Sequence, residues 1–363
     1  MFQMLREWID RYFSDPQFVI LSLLLVFGFV FIFWLGDMLI PVFASIVIAY
    51  LLDGMVVALQ RWHIPRLVSV IVVFLLFMAC LLSLIIILLP KLSRQIGQLL
   101  QQLPAMLAAG QKELMLLPER YPDFISEIQI KQFLNFISSE FTSLLQRILS
   151  STVASVRGLI SVLVYLVLVP FLVFFFLKDK AKIINWLAGF LPHNRKLTTE
   201  VWHEVNQQIG NYIRGKLWEL LIIWGVSHLT FVLLDLQFSM LLSLFVGLSV
   251  LVPYIGVIVM FFPVMLIAYF QWGWGSDFAY TVLAYSIIQL LDGNLLAPLL
   301  LSEVVNLHPV AIIVAVLLFG GLWGIWGLFF AIPLATLAHA VIKAWFNSRA
   351  PQEESGAQPD NQA

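Results

Sequence analysis

The sequence predicts an all-α polytopic membrane protein. Of its 363 residues, 61% are hydrophobic and 11% are charged, whereas a soluble domain carries about 45–50% apolar and about 25% charged residues. Apolar runs recur along the chain, and many reach the roughly 20 residues that a helix needs to cross a bilayer core of about 30 Å. The net charge of -1 argues against a nucleic-acid partner, and the single cysteine cannot form a disulfide framework within the chain.

Eight apolar runs are long enough to be membrane spans. The first should remain as an anchor, because it is too long for a secretory signal and no small-residue cleavage site follows it. In chain order, the predicted spans are 18–35, 38–59, 67–89, 159–177, 217–234, 240–270, 278–301 and 309–344.

Lysine and arginine in short loops indicate the cytoplasmic side of such a protein. Arg61 and Arg66 follow the second predicted span, and Lys178, Lys180 and Lys182 follow the fourth. No Lys or Arg occurs in the short connections at 36–37, 235–239 and 302–308. We therefore predict that these three connections lie outside and that both termini are cytoplasmic.

The predicted spans divide the chain into five regions. These are 1–90, the first three spans; 91–156, an extracytoplasmic amphipathic helical arm; 157–216, the fourth span and a basic cytoplasmic loop; 217–345, a C-terminal membrane region with broken helices; and 346–363, a disordered cytoplasmic tail. In the arm, apolar residues recur at three- and four-residue steps and predict one apolar helix face, formed by Ile130, Phe133, Leu134, Ile137, Phe141, Leu144, Leu145 and Ile148. This face must cover another helix, a neighbouring subunit, the membrane surface or an outside partner.

Two long apolar segments contain internal breaks. The sixth predicted span is interrupted at Pro253, Tyr254 and Gly256, with Pro263 beyond them; the eighth is interrupted at Gly320, Gly321, Gly324 and Gly327, with Pro333 beyond them. Peptide groups freed by such breaks are tolerated at membrane depth only against protein or water, so the breaks predict a polar site. Close helix packing is the alternative for the glycines, since Gly320 and Gly324 have the spacing of a small-residue contact.

A polar stripe lies between the broken segments. Tyr285, Gln289 and Asp292 follow at four- and three-residue steps, and Asn294 and Pro298 come shortly afterwards. A carboxylate in hydrocarbon is costly, so we expect Asp292 to face the protein interior or an aqueous cavity, unless it lies near the end of its span. Asn306 and His308 stand at the entry to the last segment, as part of either the pathway or a simple connector. Asp53, Glu219 and His228 are weaker candidates, the first two because they lie close to span ends.

Several ordered motifs resemble those of the autoinducer-2 exporter (AI-2E) family. They are 210–215, 253–256, Asp292-Gly293-Asn294 with Pro298, Leu307-His308-Pro309, and 320–324 through 331–333. The resemblance implies a bacterial inner-membrane transporter of eight spans that forms homo-oligomers, with a pentamer as one form, and that moves its broken-helix portion against a scaffold. One departure is Asp53-Gly54, where many relatives have proline, which puts the local bend in doubt.

Three functions remain open from the sequence. The first is a secondary transporter that exports a small polar organic solute, such as an autoinducer-2-like molecule. The second is a cation/proton antiporter in which Asp292 exchanges ions beside Asn294. The third is a non-transporting scaffold whose arm binds envelope proteins, although a scaffold has no need of Gln289, Asp292 and Asn294 in one span. We predict no enzymatic activity, cofactor or metal site.

Overall fold

The computed structural model describes residues 16–116, 118, 128, 130–132, 134–136, 139–140, 143, 155–189, 196–253, 255–301 and 308–347. Every regular element among them is helical, and these residues contain no β-strand. The all-α prediction is therefore confirmed.

The N-terminal part consists of long helices with one π-helical turn. Its elements are α1 (Pro16–Gln60), α2 (Arg66–Ser83), the first π turn (Leu84–Leu88), α3 (Leu89–Met115) and α4 (Ser155–Lys178). The predicted connection at 36–37 is wrong, because both residues lie inside α1. A helical glycine costs only about 1 kcal/mol, and the apolar residues on both sides let the helix continue.

The C-terminal part alternates long and short helices. Its elements are α5 (Lys180–Ala188), α6 (Lys196–Leu233), α7 (Ser239–Ser249), α8 (Ile255–Trp272), α9 (Ser276–Leu291), the second π turn (Asp292–Leu296), α10 (Ala297–Leu301) and α11 (Pro309–Asn347).

Many of these helices suit a bilayer. Within the described part of the chain, five are long and apolar enough to cross it: Met38–Gln60, Arg66–Met115, Asn206–Leu233, Ile255–Trp272 and Ser276–Leu300. Shorter apolar helices are Leu163–Lys178, Ser239–Ser249, Val310–Gly324 and Gly327–His339. The chain is therefore a helical membrane protein, as its composition predicts.

The helices form two compact units. One consists of Ala44–Lys178 and Leu220–Asp292, and the other of Met1–Phe43, Asp179–Glu219 and Gly293–Ala363. In the former, α1, α2 and α4 share a core of small and branched side chains, made of Ala49, Val56, Val70, Val73, Val173 and Leu177. The hydroxyl of Ser45 donates to the Val169 carbonyl at 3.3 Å and joins α1 to α4.

The arm is described only in pieces. Ile130 and Leu134, two residues of the predicted apolar face, are buried. Lys131, Gln132 and Asn135, from the opposite face, are exposed. The remaining residues of the apolar face lie outside the described residues, as does the predicted tail beyond Asn347.

Candidate functional site

The sixth predicted span folds back on itself instead of crossing as one helix. At its open end, the Gln271 side chain donates to the Asp235 carbonyl and accepts from the Gln237 amide, both at 2.8 Å, which brings the end of α8 beside the start of α7. At its closed end, Gly256 lies against the backbone carbonyl of Ser249. We call α7 and α8 the first hairpin.

The eighth predicted span also folds back. Helix α11 contains a sharp kink at Gly324, whose φ of 60° and ψ of -135° are not helical. Ala315 from the arm before the kink and Ala331 from the arm after it belong to one buried cluster. We call Val310–Gly324 and Gly327–His339 the second hairpin.

The predicted glycines have different roles in these turns. Gly324 forms the turn of the second hairpin. Its positive φ lies in a backbone region that glycine adopts more readily than other residues. Gly327 lies against the backbone of the preceding arm, and Gly320 packs against the Leu328 side chain. Gly321 faces open space and has no close neighbour within 4 Å. Close packing therefore explains Gly320, and the helix is interrupted at Gly324.

The predicted prolines differ as well. Pro253 lies between α7 and α8, at the tip of the first hairpin. Pro263 and Pro333 lie inside α8 and α11, and neither ends its helix. Pro298 lies in α10 and is exposed.

Tyr285, the first residue of the polar stripe, is buried against the first hairpin. Tyr285 is 1% exposed, and its hydroxyl donates to the Val257 carbonyl in the first turn of α8 at 3.0 Å. The ring of Tyr285 also contacts Phe261, with 5.9 Å between the ring centroids. Both polar atoms of the Gln289 amide are buried, and neither makes a hydrogen bond of good geometry among the described residues. Burying an amide without such bonds is costly.

Asp292 follows on the same face, at the start of the second π turn. It is only 5% exposed, so solvation at a span end does not explain this carboxyl group. π turns are rare and occur frequently at functional sites. Among the described residues, no three His, Cys, Asp or Glu side chains come together as a metal site would require.

Other predicted site residues do not join this stripe. Asn294 is exposed, unlike Asp292 two residues before it. His308 is exposed, and its Nδ1 accepts from the Val310 amide at 3.3 Å, which caps the start of the last helix locally. Tyr254 and Asn306 lie outside the described residues.

Helix α6 carries a buried ion pair, of which the sequence indicates only Glu219, as a weaker candidate. The Lys216 ammonium lies 3.0 Å from Oε1 and 2.9 Å from Oε2 of Glu219, and both residues are buried. Tyr212, on the same face of α6, donates to the Phe329 carbonyl of the second hairpin at 3.5 Å. The spacing of Tyr212, Lys216 and Glu219 by four and three residues was the signal that could have identified this buried face.

The weaker candidates have local explanations. His228 Nδ1 lies 3.3 Å from the Ser243 hydroxyl, and this contact joins α6 to α7. Asp53 lies 3.9 Å from Arg66, whose guanidinium also donates to the Leu177 carbonyl at 3.2 Å.

Comparison with known proteins identifies the family. Residues 21–347 match the family described as "AI-2E family transporter". The chain belongs to the AI-2E family. It is 44% identical over 353 residues to "Putative permease PerM" of Escherichia coli (strain K12). The aligned region covers 97% of this chain and 100% of the relative.

More distant AI-2E relatives also cover most of the chain. "Putative transport protein YrrI" of Bacillus subtilis (strain 168) is 27% identical over 337 residues, 88% of this chain and 92% of the relative. "Putative transport protein YueF" of the same organism is 24% identical over 325 residues, 87% of this chain and 85% of the relative. The resemblance seen in the sequence motifs is therefore confirmed, and the chain is a member of a multi-pass transporter family.

Proposed function

We propose that this protein is a secondary transporter of the bacterial inner membrane that exports a small polar organic solute, of which an autoinducer-2-like molecule is one candidate. The observation that carries the proposal is the buried stripe of Tyr285, Gln289 and Asp292 beside the first hairpin. Packing alone gives no reason to bury an amide and a carboxyl group in an apolar helix.

The hairpin supports a site at membrane depth. With 11 residues, α7 is roughly 16 Å long, about half of a bilayer core. An α7 that enters from one face brings the backbone between α7 and α8 close to the midplane, and the longer α8, with 18 residues, returns to the same face at a tilt. Transporter sites are typically built from such discontinuous helices, because their ends present free peptide groups to a solute.

The order of the helices along the chain indicates the side of the membrane from which each hairpin enters. The first hairpin begins and ends beside the 235–239 connection, which the loop charges predict to be outside. The Ser276–Leu300 helix is long enough to cross the membrane once. We therefore propose that the second hairpin begins and ends on the cytoplasmic side, which keeps the C terminus cytoplasmic but moves the 302–308 connection inside. From the loop charges we retain an extracytoplasmic arm. A cytoplasmic N terminus no longer follows from them, because α1 continues through 36–37 as one helix.

Asp292 is the proposed coupling residue, since it is the ionisable member of the stripe. We expect wild-type export to depend on an imposed proton or cation gradient and to lose that dependence in Asp292→Asn. This variant keeps the size of the side chain and removes its charge. Asp277→Asn is the matched control, because Asp277 lies exposed in the first turn of the same helix.

The test is flux in proteoliposomes with synthetic autoinducer-2, a panel of small polar solutes, and imposed gradients of protons, sodium or potassium. Size-exclusion chromatography of each variant checks that the protein is folded. Solute movement that responds to Asp292→Asn supports the proposal. Gradient-driven ion exchange without any solute movement would favour the antiporter, and no flux of either kind in folded protein would favour the scaffold.

We also propose a homo-oligomer, on the strength of the family resemblance. Sedimentation in detergent and chemical crosslinking in native membranes test it, and a monomer in both measurements would contradict it.

A further inference from the structure

Helix α3 contacts the open end of the first hairpin through a side chain. The Oε1 atom of Gln95 accepts a hydrogen bond from the Leu241 amide at 2.8 Å. Leu241 is in the first turn of α7, where backbone N–H groups have no partner within the helix. Phe238, at the N-cap position of α7, makes no side-chain capping bond. Gln95 therefore caps α7 from a distant part of the chain.

The second helix of the hairpin meets α3 as well. A Cβ atom at Gly110 would lie 3.6 Å from the ring of Phe270, close to the end of α8. The next residue, Gln271, ties α8 to the connection before α7. Helix α3 thus contacts both helices of the hairpin near the end where the hairpin opens.

We propose that Gln95 is a positioning residue that couples the arm to the first hairpin and, through it, to the polar stripe. Helix α3 forms the start of the predicted arm from residue 91 onward, so Gln95 lies at the base of the arm and a force on the arm acts directly on its contact. At the other end of the route, α8 holds Tyr285 through the Val257 carbonyl. A partner or neighbouring subunit bound to the arm would then adjust the hairpin without touching the stripe. This role deepens the proposed transport function, and its test does not depend on solute flux.

The first measurement is hydrogen exchange of the α7 amides in detergent-solubilised full-length protein. Gln95→Leu removes the acceptor at similar size, and Gln95→Asn shortens the side chain with less disturbance. Gln95→Glu keeps an acceptor oxygen, and Gln98→Leu changes an exposed glutamine of the same helix. Gln95→Leu and Gln95→Asn should speed exchange at Leu241 about fivefold or more, as the loss of a helix cap does, whereas the other two should match wild type.

The second measurement follows the tip of the hairpin. Val252→Cys in a Cys80→Ser background places one thiol between α7 and α8. N-ethylmaleimide should label this thiol at a rate altered about twofold to thirtyfold by Gln95→Leu or Gln95→Asn, the range for coupling from outside a site. Gln95→Glu and Gln98→Leu should leave the rate unchanged.

The two measurements separate the parts of the proposal. Unchanged exchange at Leu241 in Gln95→Asn would overturn the capping role. Faster exchange with an unaltered labelling rate would overturn the coupling, because the cap would then act only on its own helix turn. A failure of all solute flux would contradict the proposed function and leave these two results standing.

Discussion

Gly327 lies against the backbone carbonyl of Phe319, so the two arms of the second hairpin meet there with no side chain between them. Gly256 meets the carbonyl of Ser249 in the same way in the first hairpin. In each case, the glycine stands at the start of the returning helix. Both turns therefore use close backbone contact, which only a residue without a Cβ atom permits.

Substitution at these contacts should destabilise the protein. Gly327→Ala places a methyl group on the Phe319 carbonyl and should cost about 1–3 kcal/mol, typical of overpacking. Gly321→Ala is the control in the same hairpin, because a Cβ atom there meets nothing within 4 Å. Thermal unfolding in detergent measures both variants. Equal melting temperatures for the two would contradict the hairpin contact.

The buried Lys216–Glu219 pair predicts a non-additive result. Lys216→Met leaves a buried carboxylate without its ammonium, and Glu219→Gln leaves the ammonium without its carboxylate, so each should cost about 3–5 kcal/mol. Lys216→Met combined with Glu219→Leu should cost less than either single change. Denaturant unfolding of all variants forms the cycle, and costs that simply add would show that the two charges act independently.

The hydrogen bond between Tyr285 and Val257 predicts a modest loss of stability. Tyr285→Phe removes the hydroxyl that donates to α8 and leaves the half-buried Val257 carbonyl with one partner fewer, at a cost of about 1 kcal/mol. Tyr280→Phe alters an exposed tyrosine of the same helix and should be near neutral. Thermal unfolding compares them, together with the flux assay. A Tyr285→Phe protein that matched Tyr280→Phe in both would remove Tyr285 from the site.

Membrane sidedness tests the hairpin topology. In a Cys80→Ser background, we expect an impermeant maleimide to label Gln98→Cys and Gln237→Cys from outside, and Lys180→Cys and His308→Cys from the cytoplasm. His308 is decisive, because the loop charges alone place it outside. Labelling of His308→Cys only from outside would contradict the proposed re-entry of the first hairpin from outside.

The helices were predictable because hydropathy is a local property of the sequence. The fold-back of the hairpins was not, since it depends on contacts such as Ala315 with Ala331 between arms that look like one apolar run. By contrast, the face shared by Tyr285, Gln289 and Asp292 could be predicted, because it follows from spacing within one helix. The burial of Glu219 was harder to predict, because its place near the end of a predicted span allowed contact with water as an equally good explanation.

In the second π turn, Asp292–Leu296, backbone hydrogen bonds follow the i→i+5 pattern instead of the i→i+4 pattern of an α-helix, which adds one residue to the turn. Compared with an uninterrupted α-helix, the one added residue rotates the helical residues that directly follow by about 100°, the angle of one helical residue. Deletion of Gly293 should therefore close the turn into a regular helix and turn α10 so that a different side faces lipid. In an alignment of relatives, a one-residue gap at this position would mark a protein whose α10 presents other side chains, even where the flanking residues are identical.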